Sequence, residues 1–367
     1  MTRQLPESTS SSRGISRENT LWDKSLLWSS TKVLRTRCVA GDVLTVICVE
    51  SREALEALNR ANASYTSALI EEKSRLQTGT REAILHDLAE WAKDGKSEKR
   101  IYVLYGQAGM GKSSIAHAFC SLLPEGYLGA SFFFLRSSTE CSDGHRVFPT
   151  IAYQLAESVP SLRPQIANAA RKHKAGHDQA MEHQIRTLIL DILRNLGESA
   201  ITTPTLVFVV DGVDECANKS GSIVPSMLQL LCQAAHEIPC LRVLIATRPE
   251  TYILEALNSS KYSDIIYRRD LQKEENIDND IRLFIGTELR EAAAAGGFRL
   301  LEARPNAIEE LTRLSDGLFV WASTAVRFLR QDKWLAEKIY DMLLASEGAK
   351  ASSRGYVRLD ELYITIL

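Results

Sequence analysis

Between the apolar run Ile101-Tyr102-Val103-Leu104-Tyr105 and a helix-forming stretch over 114–123, the chain carries Gly106-Gln107-Ala108-Gly109-Met110-Gly111-Lys112-Ser113. An unbroken apolar run of this kind fits a strand buried on both faces. Passing from it straight into a helix through three glycines asks for backbone conformations closed to other residues. The pattern is G-x-x-x-x-G-K-[ST] in the strand–loop–helix setting that gives it physical meaning. The loop's N–H groups can converge as an anion nest, and the helix beginning near Lys112 adds its positive dipole end. Lys112 offers a point charge for β- and γ-phosphates. The Ser113 hydroxyl is a hard oxygen suited to Mg²⁺. We therefore read Gly106 through Ser113, with Ser114, as the phosphate-binding set for a nucleotide, ATP or GTP, with Mg²⁺.

A second apolar run, Leu206-Val207-Phe208-Val209-Val210, ends in Asp211-Gly212-Val213-Asp214-Glu215. A carboxylate at the end of a buried strand lies where ligands of open α/β sheets bind. Asp211 can hold Mg²⁺ directly or through water, Gly212 keeps space open beside it, and Glu215, or Asp214, can orient and deprotonate an attacking water. A third run, Val243-Leu244-Ile245-Ala246, leads into Thr247-Arg248-Pro249-Glu250. Arg248 at that strand end can reach a γ-phosphate, and Pro249 suits the first turn of a following helix. The catalytic set expected is thus Glu215, Asp214 and Arg248, with Ser113 and Asp211 as metal ligands.

The surrounding pattern predicts an α/β fold: a parallel sheet with helices on both faces, followed by a small all-helical region. Strands are expected near 101–105, 128–135, 206–210, 242–247 and 264–268. Helices are expected near 80–92, 112–123, 146–158, 179–195, 222–236 and 249–258. Residues 53–72 read as one helix, with Leu55, Leu58, Ala61, Tyr65 and Leu69 at helical spacing. Residues 271–350 read as all helix, with Leu318, Trp321, Ala325 and Phe328 forming one apolar stripe. The expected organisation is a Ser/Thr/Arg-rich disordered tail over 1–20, an N-terminal segment and helical linker over 21–75, a core over 76–270, a helical lid over 271–350, and the start of a truncated module over 351–367.

The order of phosphate loop, D-G-x-D-E and T-R-P-E resembles the NACHT group of signal-transduction NTPases, in particular its fungal forms and the similar nephrocystin-type N-terminal domain. Further stretches have the same look: Leu76-Gln77-Thr78-Gly79-Thr80-Arg81-Glu82, Leu128-Gly129-Ala130-Ser131-Phe132-Phe133-Phe134, Ser315-Asp316-Gly317-Leu318-Phe319-Val320-Trp321-Ala322 and Leu359-Asp360-Glu361-Leu362-Tyr363. The resemblance implies an ATP-binding, slowly hydrolysing switch, with Gly79-Thr80-Arg81 near the base and self-oligomers or partner proteins in the active state. It departs in one place. Related switch NTPases lay a glycine–apolar–proline element over the nucleotide, and here Gly317-Leu318-Phe319 lacks the proline, which leaves that contact without sequence support.

Composition excludes more than it identifies. The 367 residues, 45% hydrophobic, can bury a sizeable core. A net charge of −2 gives no electrostatic reason to expect nucleic acid. The apolar run over 43–49 is far short of the roughly 20 residues that span a bilayer, and the polar N-terminus lacks a signal-peptide core. Seven cysteines without a C-x-x-C pair suit a reducing cytoplasm. Cys232, His236 and Cys240 lie four apart, but Pro239 breaks their helix and no fourth ligand is evident. His173, His177 and His183 fall in a charged helical stretch and read as solvated. A GTPase would want D-x-x-G and N-K-x-D, whereas Asn218-Lys219-Ser220-Gly221 lacks the aspartate, and no transporter-type L-S-G-G-Q is present. The alternative to a hydrolysing switch is a nucleotide-binding scaffold without meaningful turnover.

Overall fold

The computed structural model describes residues 50–74, 76–173, 179–197, 205–217 and 222–347. The chain divides after Glu50, and the unit beginning at Ser51 is the one described below. The expectations placed on 1–49, His177, 218–221 and 351–367 lie outside the described residues.

Five strands form one all-parallel sheet: β1 (Ile101–Tyr105), β2 (Leu128–Phe133), β3 (Leu206–Asp211), β4 (Leu241–Thr247) and β5 (Ile266–Asp270), in the order β2-β3-β4-β1-β5. All five correspond to expected strands. β5 starts two residues late because Ser263–Ile265 closes a 3₁₀ turn first. Successive side chains of β1 serve opposite faces, Ile101 and Val103 entering one hydrophobic cluster and Tyr102 and Leu104 the other. That double burial is why the strands read as unbroken apolar runs.

The face beneath Tyr102 and Leu104 carries α1 (Glu82–Lys93) and α2 (Lys112–Leu122). The opposite face carries α3 (Val147–Ser158), α4 (Arg163–His173), α5, α6 (Ile223–Glu237) and α7 (Thr251–Leu257). Here α5 is a composite of Met181–Ile185, a π turn over Arg186–Leu190, and Asp191–Gly197. The chain then returns to the first face with α8 (Ile277–Ala294), α9 (Ala307–Ser315), α10 (Phe319–Gln331) and α11 (Ala336–Glu347), which share one hydrophobic cluster with α1 and α2. The fold is α/β with an all-helical continuation. No helix among the described residues is long and apolar enough to cross a membrane.

Strand register positions the site. Tyr105 pairs with Thr247, Ala246 with Asp211, and Asp211 with Phe133. The carboxyl ends of four neighbouring strands therefore finish on one line, and the segments that follow them open onto one edge of the sheet.

Four expectations need correction. Residues 53–72 are not one helix: helical turns over 50–56 and Ala68–Lys73 flank a loop. That loop is drawn onto the exposed edge of β2, where Phe133 N–H donates to the Ala63 carbonyl (2.8 Å) and Tyr65 N–H to Ser131 Oγ (3.0 Å), and Ala61 N–H donates to Thr150 Oγ1 (2.9 Å) on the adjoining helix Val147–Ser158. Covering an edge strand outweighs local helix propensity there, and Leu69 is left 52% exposed. Second, α4 was not foreseen, although Ile166, Ala167 and Ala170 bury one face behind the N-terminal Pro164. Third, the stripe on α10 runs through Leu318, Trp321, Ala322, Ala325 and Leu329, with Phe328 only half-buried. Fourth, His173 is half-buried, its ring 5.3 Å from that of His183.

Candidate functional site

The loop from Gly106 to Gly111 joins the carboxyl end of β1 to the N-terminus of α2. Gly111 is the N-cap, at φ +88°, and no acidic residue occupies the first turn. The amides that open α2 have no acceptor within the helix and no carboxylate on that turn to offset the dipole. Gly109, at φ +79°, serves two needs. Its backbone is left-handed, and a Cβ there would overlap Val320 Cγ1. Gly106, contrary to expectation, is not in the left-handed region. It is needed for space, since a Cβ would lie 3.1 Å from both Leu271 Cβ and Met110 Sδ.

A cavity of about 420 Å³ opens along this edge. Ala108, Gly109, Gly111, Lys112, Ser113 and Ser114 line it from the loop and α2, and Asp211, Asp214, Glu215 and Arg248 from the ends of β3 and β4. Three residues of the expected set stand apart. Gln107 and Met110 face a different cavity, and Gly106 packs beneath the loop.

Lys112 is buried, and its Nζ donates to the carbonyls of Gly106 and Gln107, both at 2.8 Å. Two of its three donors thus hold the loop's own curve. Burial brings its ammonium down to about 8 against the pull of Asp211 and Asp214. Burial pushes the Asp211 carboxyl up to about 7, opposed by a hydrogen bond from the Ser113 hydroxyl and by Lys112. Both groups are displaced toward neutrality, so desolvation outweighs their mutual attraction. Asp211 Oδ1 is buried without a hydrogen-bond partner. An orphaned carboxylate oxygen beside a serine hydroxyl is a donor set that fits Mg²⁺, which needs few protein oxygens and keeps waters and phosphate for the rest.

Asp214 is buried and clamps Arg248: it accepts from the Arg248 backbone N–H (3.0 Å) and pairs with Nε (3.0 Å). Glu215 Oε2 accepts from Arg136 N–H (3.0 Å) beyond the end of β2. Gly212 lines the cavity beside Asp211 with a left-handed backbone, φ +69°, and a Cβ there would also press on the Phe134 carbonyl oxygen at 3.2 Å.

The opposite wall comes from distant sequence. Leu76, Gln77 and Arg81 line it ahead of α1, Phe284 from α8, and Phe319, Val320 and Ser323 from α10. Val320 N–H donates to the Gly109 carbonyl at 3.0 Å. The helical region therefore reaches the phosphate loop without the proline. Leu318, extended at φ −95°, ψ 102°, makes the turn into α10 instead. The sequence signal for this wall lies in the family-like stretches 76–82 and 315–322. Phe284 and Ser323 stand in neither stretch.

The family described as Nephrocystin 3, N-terminal matches residues 79–248. No curated protein matches the chain. Among solved structures, the Walker-type ATPase of Pyrococcus abyssi is similar over 79% of this chain and 77% of that one, at 17% identity and a TM-score of 0.46. Drosophila ORC bound to DNA is similar over 79% of this chain and 67% of that one, at 14% identity and a TM-score of 0.40.

Proposed function

We propose that this chain, an α/β protein of P-loop NTPase fold, binds ATP with Mg²⁺ and hydrolyses it slowly as a signal-transduction switch of the NACHT type, close to the fungal forms. One observation carries the reading. An α-helix N-terminus, a buried lysine, two buried aspartates, a glutamate and an arginine converge on one cavity at the carboxyl edge of a parallel sheet. The match of residues 79–248 to the Nephrocystin 3 N-terminal family supports it.

In this reading the first-turn amides of α2 and Lys112 take the phosphate tail. Ser113 and Asp211 would hold Mg²⁺, which neutralises charge on the phosphates when bound. Glu215 orients and deprotonates the attacking water. Arg248 senses the γ-phosphate, which competes with Asp214 for its guanidinium. The wall of Phe284, Phe319 and Val320 makes the helical region part of the same enclosure, so loss of the γ-phosphate shifts how that region sits. We expect slow turnover, in the cytoplasm, with self-association or a partner protein adding charge to the transition state.

The second reading, a binding scaffold without meaningful hydrolysis, draws on the fact that Asp214 and Glu215 both already have hydrogen-bond partners. Two measurements decide. Isothermal titration with ATP and GTP should show Lys112→Ala weakening affinity at least about tenfold; unchanged affinity would remove the phosphate-site assignment. Phosphate release should fall in Glu215→Gln, and equal background rates in both proteins would favour the scaffold.

A further inference from the structure

Arg81, just ahead of α1, is buried and shared among three chain segments. It is 3% exposed and takes a left-handed backbone, φ +58°, as the N-cap of α1. Its Nη2 donates to the carbonyl of Met110 within the phosphate loop (2.9 Å). Its Nε lies 3.7 Å from Asp280 Oδ2 on α8, and its guanidinium carbon stacks 4.8 Å from the centre of the Phe319 ring at the head of α10. The Asp280 carboxylate also accepts from the Arg81 backbone N–H. Arg81 lines the same cavity as Lys112 and Arg248.

We propose that Arg81 is a positioning residue that latches the helical region onto the phosphate loop and so sets how fast nucleotide leaves the cavity. Three chain segments meet on this one guanidinium: the loop through Met110, α8 through Asp280, and α10 through Phe319. A planar cation suits the task because it can donate in its plane and stack on its face together. At this depth desolvation works against the cation and the Asp280 carboxylate offsets it, with Nε left without a hydrogen-bond partner. Loosening any one of the three contacts frees Phe319 and the neighbouring Val320 from the loop and unseals one wall of the cavity. The left-handed backbone at Arg81 is a further cost, and it persists because the surrounding contacts over-determine the position.

The proposal rests on the nucleotide-binding reading, and its test keeps the two apart. The probe is methylanthraniloyl-ATP with Mg²⁺, chased with excess ATP, on the full chain carrying Phe319→Leu, Asp280→Asn or Arg81→Lys. Hydrogen exchange of the peptide spanning the start of α10 is followed in parallel. Each variant should release the probe about three- to tenfold faster than the parent. Each should also lose protection at α10 while the peptide spanning α6, on the far face of the sheet, keeps it. Arg81→Lys should behave like the other two, since lysine keeps the charge but not the plane. Failure of the parent to bind the probe would remove the nucleotide reading itself. A parent that binds, with folded variants releasing the probe at the parental rate and α10 protection unchanged, would overturn the latch alone. Should Arg81→Lys fail to fold, Phe319→Leu removes only a ring face and decides the matter by the same two readouts.

Discussion

Gly109 and Gly111 offer a controlled pair of perturbations. Both have left-handed backbones, at φ +79° and +88°, so an alanine at either is strained by about 1–2 kcal/mol. They differ in surroundings. A Cβ on Gly111 meets nothing within 4 Å, whereas one on Gly109 would overlap Val320 Cγ1 and lie 2.8 Å from Val320 Cβ. Forcing a methyl into such a contact typically adds about 1–3 kcal/mol. Gly111→Ala should therefore cost about 1–2 kcal/mol and Gly109→Ala about 2–5 kcal/mol. The assay is equilibrium urea unfolding without nucleotide, comparing midpoints at matched slopes. A Val320→Gly background removes both clashing atoms, so the excess at position 109 should return there as a coupling energy of about 1–3 kcal/mol, while the cost at position 111 should not change. Equal destabilisation by the two alanines, or an excess that survives Val320→Gly, would refute the seating of α10 on the loop.

Other expectations follow from the same geometry. Asp211→Asn should raise the urea midpoint of the free chain at pH 8, with an upper bound of about 4 kcal/mol set by the rise of its carboxyl from 3.8 to about 7. The sign follows from linkage: the fold holds this proton through the window from 3.8 to about 7, so the aspartate favours folding least above 7. Titration at pH 8 that finds Asn no more stable would contradict the burial assigned to Asp211. The same variant should lose the Mg²⁺ dependence of nucleotide affinity, and a magnesium titration like the parent's would remove Asp211 as a metal ligand. Cys232 is buried, with its thiol pushed up to about 12. It should resist iodoacetamide at pH 8 in the folded chain and react in urea, as read by peptide mass mapping; comparable labelling in both would contradict its place in the core. Arg242→Met tests the other end of β4. That buried guanidinium donates to the Asp94 carbonyl at 2.8 Å and the Pro239 carbonyl at 3.1 Å. Its loss should cost about 1–3 kcal/mol of stability while leaving nucleotide affinity unaltered.

What could be read from the chain followed from how local its cause was. The sheet's strands are legible because burial on both faces writes an unbroken apolar run, as in Val207-Phe208-Val209-Val210. Lys112, Ser113, Asp211, Asp214, Glu215 and Arg248 were each placed by the strand end next to them, and parallel register then brings those ends together. The loop over 57–67 was illegible because its apolar spacing is helical, while what decides it is the exposed edge of β2 some 70 positions on, through Ala63 and Phe133. Arg81 and Phe319 were illegible as a pair for the same reason: they stack across more than 200 positions of chain. The missing proline after Leu318 misled in the other direction. The contact that mattered was a backbone amide, Val320 N–H to the Gly109 carbonyl, which any non-proline residue can supply.

That backbone contact bears on how far the proposed switch can move. Ile115 and Phe119 of α2 belong to the same hydrophobic cluster as Ile281 and Ile285 of α8 and Trp321 and Ala325 of α10. Detaching the whole helical region would expose that cluster, at about 1.5–3 kcal/mol for each large apolar side chain released. A nucleotide that drives a two-state population from one extreme to the other needs a differential affinity of only about 5.5 kcal/mol. In the proposed function, losing one γ-phosphate contact to Lys112 and one to Arg248 would supply energy of that order, enough to free two or three such side chains and no more. The cheap motion is therefore local. Arg81, Phe319 and Val320 sit at the rim where α10 meets the loop, held by one hydrogen bond each to Met110 and Gly109, by the Asp280 carboxylate and by a ring contact. Nucleotide state is expected to act on that rim, tilting the first turn of α10, while α9, α11 and the inner face of α8 stay packed. Any larger excursion requires energy from outside the described unit, such as a partner surface that binds the exposed cluster.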